Sequence, residues 1–96
     1  MKDKQVTIYV SEDNSQCNKL ISQMDEWNVP YEIKNVSKNT KYMRELQDMG
    51  IYGTPATFIN GNEGPVLGYQ KNRIKNNLGL GNNDYYNTHY NGYSSY

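Results

Sequence analysis

The sequence predicts one α/β domain, in which three helices flank a four-stranded mixed sheet. Three observations support this fold class. The chain has 96 residues, which is enough for one hydrophobic core. Its apolar residues alternate between strand and helix spacing in the order β-α-β-α-β-β-α. The last sixteen residues contain no aliphatic side chain, so the core must come from residues before about Gly81.

The first strand and the first helix are separated by a polar elbow. β-Branched and apolar residues alternate over residues 5–10, which predicts a strand buried on both faces. Residues 11–14 then read Ser-Glu-Asp-Asn, the residue types that begin helices. A helix is predicted from about Ser15 to Trp27. Its apolar face is formed by residues three and four apart, namely Cys17, Leu20, Ile21, Met24 and Trp27.

A second strand and a second helix follow Pro30. The residue before a proline leaves the helical region, so Val29 ends the first helix. Apolar residues over 31–36 predict a strand parallel to the first, because a strand-helix-strand unit of this length is a crossover connection. Asn39 is the expected N-cap of the second helix and Gly50 its end. We expect the methionines to be core residues, and the inward side chains of this helix to be Tyr42, Met43, Leu46 and Met49.

The remaining elements form a strand pair and a short helix. A third strand is predicted at Ala56–Ile59, and Asn60-Gly61 is typical of a hairpin turn, here with a loop that continues to Gly64. The pattern Val66, Leu67, Tyr69 predicts a fourth strand antiparallel to the third. A final helix over residues 71–78 is followed by glycines.

Charge and composition exclude several classes of function. Ten acidic residues balance ten basic ones, so no long-range field attracts nucleic acid or an anionic membrane. No stretch is long and apolar enough to span a bilayer, and no apolar leader precedes the first strand. We therefore expect a cytoplasmic protein that has no nucleic-acid or membrane partner and uses neither metal nor cofactor. The oligomeric state is left open.

Five segments, in this order, resemble the glutaredoxin-like proteins of the thioredoxin-fold superfamily. They are VTIYV, NSQC, VPYEIKNV, YGTPATFING and VLGYQKNRI, which begin at residues 6, 14, 29, 52 and 66. The resemblance implies a glutaredoxin-like domain over residues 1–80. Residues 81–96 are rich in tyrosine, asparagine and glycine, and their composition predicts a low-complexity tail.

The resemblance also implies where the active site lies. In the family, a reactive cysteine follows the last aromatic residue of the first strand by five positions, and a resolving cysteine comes three residues later. Counting from Tyr9 places these positions at Asn14 and Cys17, and counting back from Pro30 again gives Cys17. The implied motif is therefore a degenerate Asn-Ser-Gln-Cys with no nucleophilic cysteine. Cys17, the only cysteine of the chain, is the candidate catalytic residue.

Two further groups of residues complete the expected site. The active-site loop comprises Ser11, Asn14, Ser15 and Gln16. The thiol-substrate-binding residues are Thr54, Pro55, Gly68 and Tyr69, and the family resemblance implies a cis bond before Pro55. Members of the family often carry a basic residue where this chain has Ser11. Together with the altered segment after Gly68, this counts against recognition of glutathione.

Two functions follow from these residues. In the first, Cys17 exchanges as a single thiol with a low-molecular-weight thiol or a cysteine-containing protein, since a two-thiol cycle cannot operate within one chain. Unpaired amides at a helix start favour a thiolate there. In the second, the protein is a binding module without catalysis, which uses the proline edge or the tail. Cys17 is then a small buried side chain and Asn14 a helix cap.

Overall fold

The computed structural model describes residues 5–61 and 64–80, and its elements follow the predicted order. Residues 1–4, 62–63 and 81–96 lie outside the described residues, and these include the predicted tail and part of the hairpin loop. The elements are β1 (Val6–Val10), α1 (Ser15–Glu26), β2 (Glu32–Asn35), α2 (Thr40–Asp48), β3 (Ala56–Ile59), β4 (Val66–Leu67) and α3 (Lys71–Leu78).

The four strands form one mixed sheet in the order β2-β1-β3-β4, which confirms the predicted fold class. β1 pairs in parallel with β2, with Ile8 opposite Ile33. It pairs antiparallel with β3, where Ile8 lies opposite Thr57, and β3 in turn pairs antiparallel with β4. β1 is therefore a central strand. Among the helices of the described residues, none has the length and apolar character needed to cross a bilayer.

α1 and α3 cover one face of the sheet and build the larger part of the core. The buried residues of this cluster are Val6, Ile8, Val10, Cys17, Leu20, Met24, Ile59, Val66 and Ile74. Each such side chain contributes about 1.5–3 kcal/mol by leaving water. Thr57 is also completely buried. Its Oγ1 has no hydrogen-bond partner among the described residues, although a buried hydroxyl is normally paired.

α2 covers the opposite face and contributes a smaller cluster. The buried residues there are Tyr9, Val36, Leu46, Ile51 and Ala56. The ring of Tyr9 meets the rings of Tyr42 and Phe58 edge-on, at centroid distances of 6.5 and 5.5 Å. Such contacts contribute to stability beyond the effect of the area that the rings bury. The aromatic side chains of β1, α2 and β3 thus account for much of this layer.

A polar group borders the aromatic cluster at Tyr9. The Tyr9 hydroxyl donates to Glu45 Oε1 at 2.8 Å, and Lys34 Nζ lies 3.5 Å from the same oxygen. Burial raises the pKa of Tyr9, and the hydrogen bond to Glu45 adds to this rise. The hydrogen bond from Tyr9 lowers the pKa of Glu45. Burial alone would lower the pKa of Lys34, but its contacts with Tyr9 and Glu45 raise it overall.

The prediction that the methionines are core residues is wrong for α2. Met43 and Met49 are 38% and 49% exposed, whereas Met24 of α1 is buried. Met49 lies beyond the last helical residue, as the C-cap with φ −92° and ψ 4°, so helical spacing no longer places it on the inward face. Leu46 is the only buried residue of α2.

Candidate functional site

The elbow between β1 and α1 is held by the side chain of Asn14. Asp13 adopts a left-handed conformation, with φ 56°, and turns the chain toward the helix. Asn14 is the N-cap of α1, and its Oδ1 accepts hydrogen bonds from the amides of Gln16 at 3.0 Å and Cys17 at 3.1 Å. These two bonds satisfy amides that a helix start otherwise leaves unpaired.

The other end of the Asn14 side chain joins the elbow to the loop that precedes β3. Its Nδ2 donates to Ser11 Oγ and Thr54 Oγ1, both at 3.3 Å, and lies 3.5 Å from the carbonyl oxygen of Thr54. Ser11 Oγ and Thr54 Oγ1 are themselves 2.7 Å apart. The structure therefore brings together three residues that the sequence placed in the site. The hydrogen bonds among them were not predicted.

Cys17 lies on the inward face of the first turn of α1. Only 1% of its surface is exposed to solvent, and it belongs to the core cluster that contains Ile8 and Leu20. A disulfide in solution cannot reach this sulfur unless α1 moves away from the sheet. Buried thiols in apolar surroundings are unreactive compared with exposed thiolates. In this arrangement Cys17 acts as a small apolar core residue.

A groove runs beside the predicted substrate-binding residues. The Thr54–Pro55 peptide bond is cis, and Pro55 is fully buried. The Gly68 amide donates to the carbonyl oxygen of Pro55 at 2.8 Å, which fixes the end of β4 against this loop. The groove has a volume of about 360 Å³ and is lined by residues 50–55 together with Gln16, Leu67 and Gly68. These lining residues carry no carboxylate, ammonium, guanidinium or imidazole group.

Gln16 and Tyr69 connect α1 with the segment after β4. The amide of Tyr69 donates to Gln16 Oε1 at 3.1 Å, and the Tyr69 hydroxyl lies 3.4 Å from Gln23 Oε1. Burial raises the pKa of Tyr69, and the negative charge of Glu26 raises it further. Ser15, the remaining residue of the predicted loop, is exposed at the first position of α1. Gln16 thus helps to position the segment that follows Gly68, a role that the sequence pattern did not indicate.

Within residues 5–61 and 64–80, no group of three His, Cys, Asp or Glu side chains is arranged to hold a metal ion. The chemical groups that line the groove are instead amides, hydroxyls and apolar surfaces. Such a lining can bind an extended polypeptide through backbone hydrogen bonds and shallow apolar contacts.

The sheet order, the helix-start elbow and the adjacent proline loop define a thioredoxin-fold protein. Solved structures agree with this class. One is the glutaredoxin-like protein NrdH-redoxin from Escherichia coli, with 21% identity and a TM-score of 0.67 over 75% of this chain and 92% of that one. At that identity the likeness shows the fold alone. Another is the thioredoxin-like protein BC3987, with 26% identity and a TM-score of 0.67 over 74% of this chain and 96% of that one.

A threonine-to-alanine mutant of BC3987 matches in the same way, with 28% identity and a TM-score of 0.67 over 76% of this chain and 97% of that one. A search of curated proteins finds no match. The family model described as Glutaredoxin matches residues 6–63, which is well over half of the chain. The chain therefore belongs to the glutaredoxin family.

Proposed function

We propose that this protein is a binding member of the glutaredoxin family without thiol-exchange activity, and that its groove takes an extended segment of a partner polypeptide. The burial of Cys17, which is 1% exposed, carries this proposal. Asn14 stands at the position that the family resemblance assigns to the reactive cysteine, and a carboxamide cannot attack a disulfide. The hydrogen bonds of Asn14 serve the helix start and the Thr54 loop instead.

The groove supplies what such a binding site needs. Half-buried Leu67 gives it apolar surface, and Tyr52, which is 78% exposed, also lines it. Exposed tyrosines are enriched at protein interfaces because the ring buries apolar area while the hydroxyl keeps a polar partner. A charged ligand would lose hydration in this groove without gaining an opposite charge. The expected partner segment is therefore extended and uncharged.

Single-thiol exchange through Cys17 is the second candidate, because the chain belongs to a redox family and its one thiol lies in the first turn of a helix. In this reaction the Cys17 thiolate attacks one sulfur of a disulfide and forms a mixed disulfide. The other sulfur leaves as a thiolate, so the bond count and the oxidation state balance. The first turn of α1 must open before the attack can occur.

Thiol labelling distinguishes the two candidates. The folded full-length protein is incubated with oxidised glutathione, and in parallel with iodoacetamide, and its mass is measured over time. We expect no adduct in the folded state and rapid labelling in urea, because unfolding exposes Cys17. A glutathione adduct that forms on the folded protein would support the exchange reaction and contradict the binding proposal.

A pair of glycine substitutions tests the groove itself. A Cβ at Gly53, which lines the groove, or at Gly64, which does not, meets no atom of the described residues within 4 Å, and neither glycine has a positive φ. Gly53→Glu therefore places a charge in the groove without strain, and Gly64→Glu is the matched control.

The probe is a peptide selected from a random displayed library on the full-length protein and then titrated into the ¹⁵N-labelled chain. We expect it to shift the amides of residues 50–54 and of Gly68. Gly53→Glu should weaken its binding at least about tenfold, whereas Gly64→Glu should leave it unchanged. Peptides whose shifts map to another surface, or that bind both variants equally, would refute the proposed site.

A further inference from the structure

We infer that the groove is occupied by residues 81–96 of the same chain, which thereby compete with the partner polypeptide. This inference rests on the proposed function of the groove. Residues 81–96 lie outside the described residues. The chemistry of the groove, the position at which α3 ends and the sequence of the segment all favour this occupant over an unrelated ligand.

The segment and the groove match in charge and in chemistry. The groove lining carries no acidic or basic side chain, and the only such side chains in the segment are Asp84 and His89. Five of the ten tyrosines of the chain lie in the segment. Tyrosine rings can bury apolar area beside Tyr52 and Leu67 while their hydroxyls keep hydrogen bonds. Residues 90–96 carry no acidic or basic side chain, so they can enter the groove without the desolvation cost that a charged side chain would meet.

The segment is also long enough to return to the groove. Gly68 lines the groove, and three steps along the chain lead from it to Lys71, where α3 begins. The eight residues of α3 rise about 12 Å, and the extended residues on either side add about 17 Å, so Leu80 lies at most about 30 Å from Gly68. About nine extended residues cover that distance. The other seven or so of the sixteen remain to lie in the groove.

Because the segment is tethered to the domain, weak contacts are sufficient for it to occupy the groove. The tether holds the segment near the groove at an effective concentration on the order of 1 mM. A segment whose dissociation constant for the free groove is also about 1 mM then fills half of the molecules and weakens partner binding about twofold. A segment that binds the groove more tightly weakens partner binding further. The groove is thus regulated by the rest of the chain without any covalent change.

A spin label on the segment tests this occupancy in the full-length protein. Ser95→Cys introduces a second thiol, and the buried Cys17 leaves the new thiol as the accessible one for a nitroxide. Amide intensities of the ¹⁵N-labelled chain are compared with the nitroxide oxidised and reduced. We expect the amides of Gly50 and Gly68 to lose about half of their intensity or more, while the amide of Glu32 on the opposite edge strand keeps most of its intensity.

Two controls decide the assignment. In the spin-labelled Gly53→Glu chain the loss at Gly50 and Gly68 should disappear, whereas in the spin-labelled Gly64→Glu chain it should persist. The loss should not change on dilution. Intensity losses spread evenly over the described residues would overturn the inference. So would losses that arise when ¹⁵N chains without label are mixed with spin-labelled unenriched chains, because the occupant would then come from a second copy.

The inference and the proposed function can fail separately. If the spin label leaves the groove amides unaffected but the selected peptide still shifts them, the segment is not the occupant and the groove remains a binding site. If neither the label nor any peptide affects these amides, both proposals are wrong.

Discussion

Asn14 makes two kinds of hydrogen bond, which substitutions can remove together or one kind at a time. Its Oδ1 caps α1 by accepting from two amides, and its Nδ2 donates across the elbow to Ser11 and Thr54. Asn14→Ala removes both kinds. Asn39→Ala is the matched control. Asn39 caps α2 by accepting one hydrogen bond, from the amide of Lys41 at 2.9 Å, and its side chain donates none among the described residues.

The two substitutions should lower the free energy of unfolding by different amounts. Loss of an N-cap costs about 1 kcal/mol, and the donor bonds of Asn14, which are 3.3 to 3.5 Å long, add about another 1 kcal/mol between them. We therefore expect Asn14→Ala to lower the free energy of unfolding by about 2 kcal/mol and Asn39→Ala by about 1 kcal/mol or less. A domain of this size has only about 3–5 kcal/mol in total, so the first loss is large.

Urea unfolding followed by circular dichroism measures both changes. Asn14→Asp adds a further comparison, because it keeps the capping oxygens but loses the donors, and the helix N-terminus favours its charge. Its stability should fall between those of the wild type and Asn14→Ala. If Asn14→Ala costs no more than Asn39→Ala, the hydrogen bonds between the elbow and the Thr54 loop contribute nothing to stability, and the reasoning is refuted.

Three further substitutions test other parts of the structure. Thr57→Val removes a buried hydroxyl that has no partner among the described residues and should raise the free energy of unfolding by about 1–2 kcal/mol in urea; a decrease would mean that the hydroxyl is hydrogen-bonded. The pKa of Glu45 is lowered in the folded protein, so the ionised carboxylate stabilises the fold. This stabilisation is fully present above the ordinary pKa of 4.5 and is lost as the pH falls through the lowered pKa. When the pH is lowered from about 6 to about 3, the free energy of unfolding should therefore fall less for Glu45→Gln than for the wild type. Equal decreases would contradict this. Asn14→Cys places a second thiol three residues before Cys17 and should give measurable reductase activity in a small-disulfide assay, whereas no gain would show that the rest of the site is also incompetent.

Elements with strong local signals were predicted closely from the sequence. The bounds of β3 and α3 are as expected, because a proline precedes the first and Gly79, with φ 76°, ends the second. The Asn39 cap was also predicted. α1 was predicted to reach Trp27 but ends at Glu26, since Trp27 is the C-cap and Asn28 turns to φ 60°. Each of these features depends on a few neighbouring residues.

Contacts between distant residues were not predictable in the same way. The bonds from Asn14 to Thr54 join positions 40 residues apart, and the bond from Tyr69 to Gln16 spans 53 residues. Polar residues at these places are visible in the sequence, but no local pattern indicates the partner of any of them. The exposure of Met49 likewise depends on where α2 ends, rather than on the spacing that predicted an inward side chain.

The uncharged lining of the groove has a consequence for the kinetics of association. With no acidic or basic side chain among the lining residues and a formal net charge of zero, the protein offers no field that guides a partner toward the groove. Association then has the ordinary rate constant of protein pairs without electrostatic steering, on the order of 10⁵–10⁶ M⁻¹s⁻¹. Added salt changes that rate little, because there is little attraction for it to screen. Differences among partners in how tightly they bind must therefore come from how long each complex lasts.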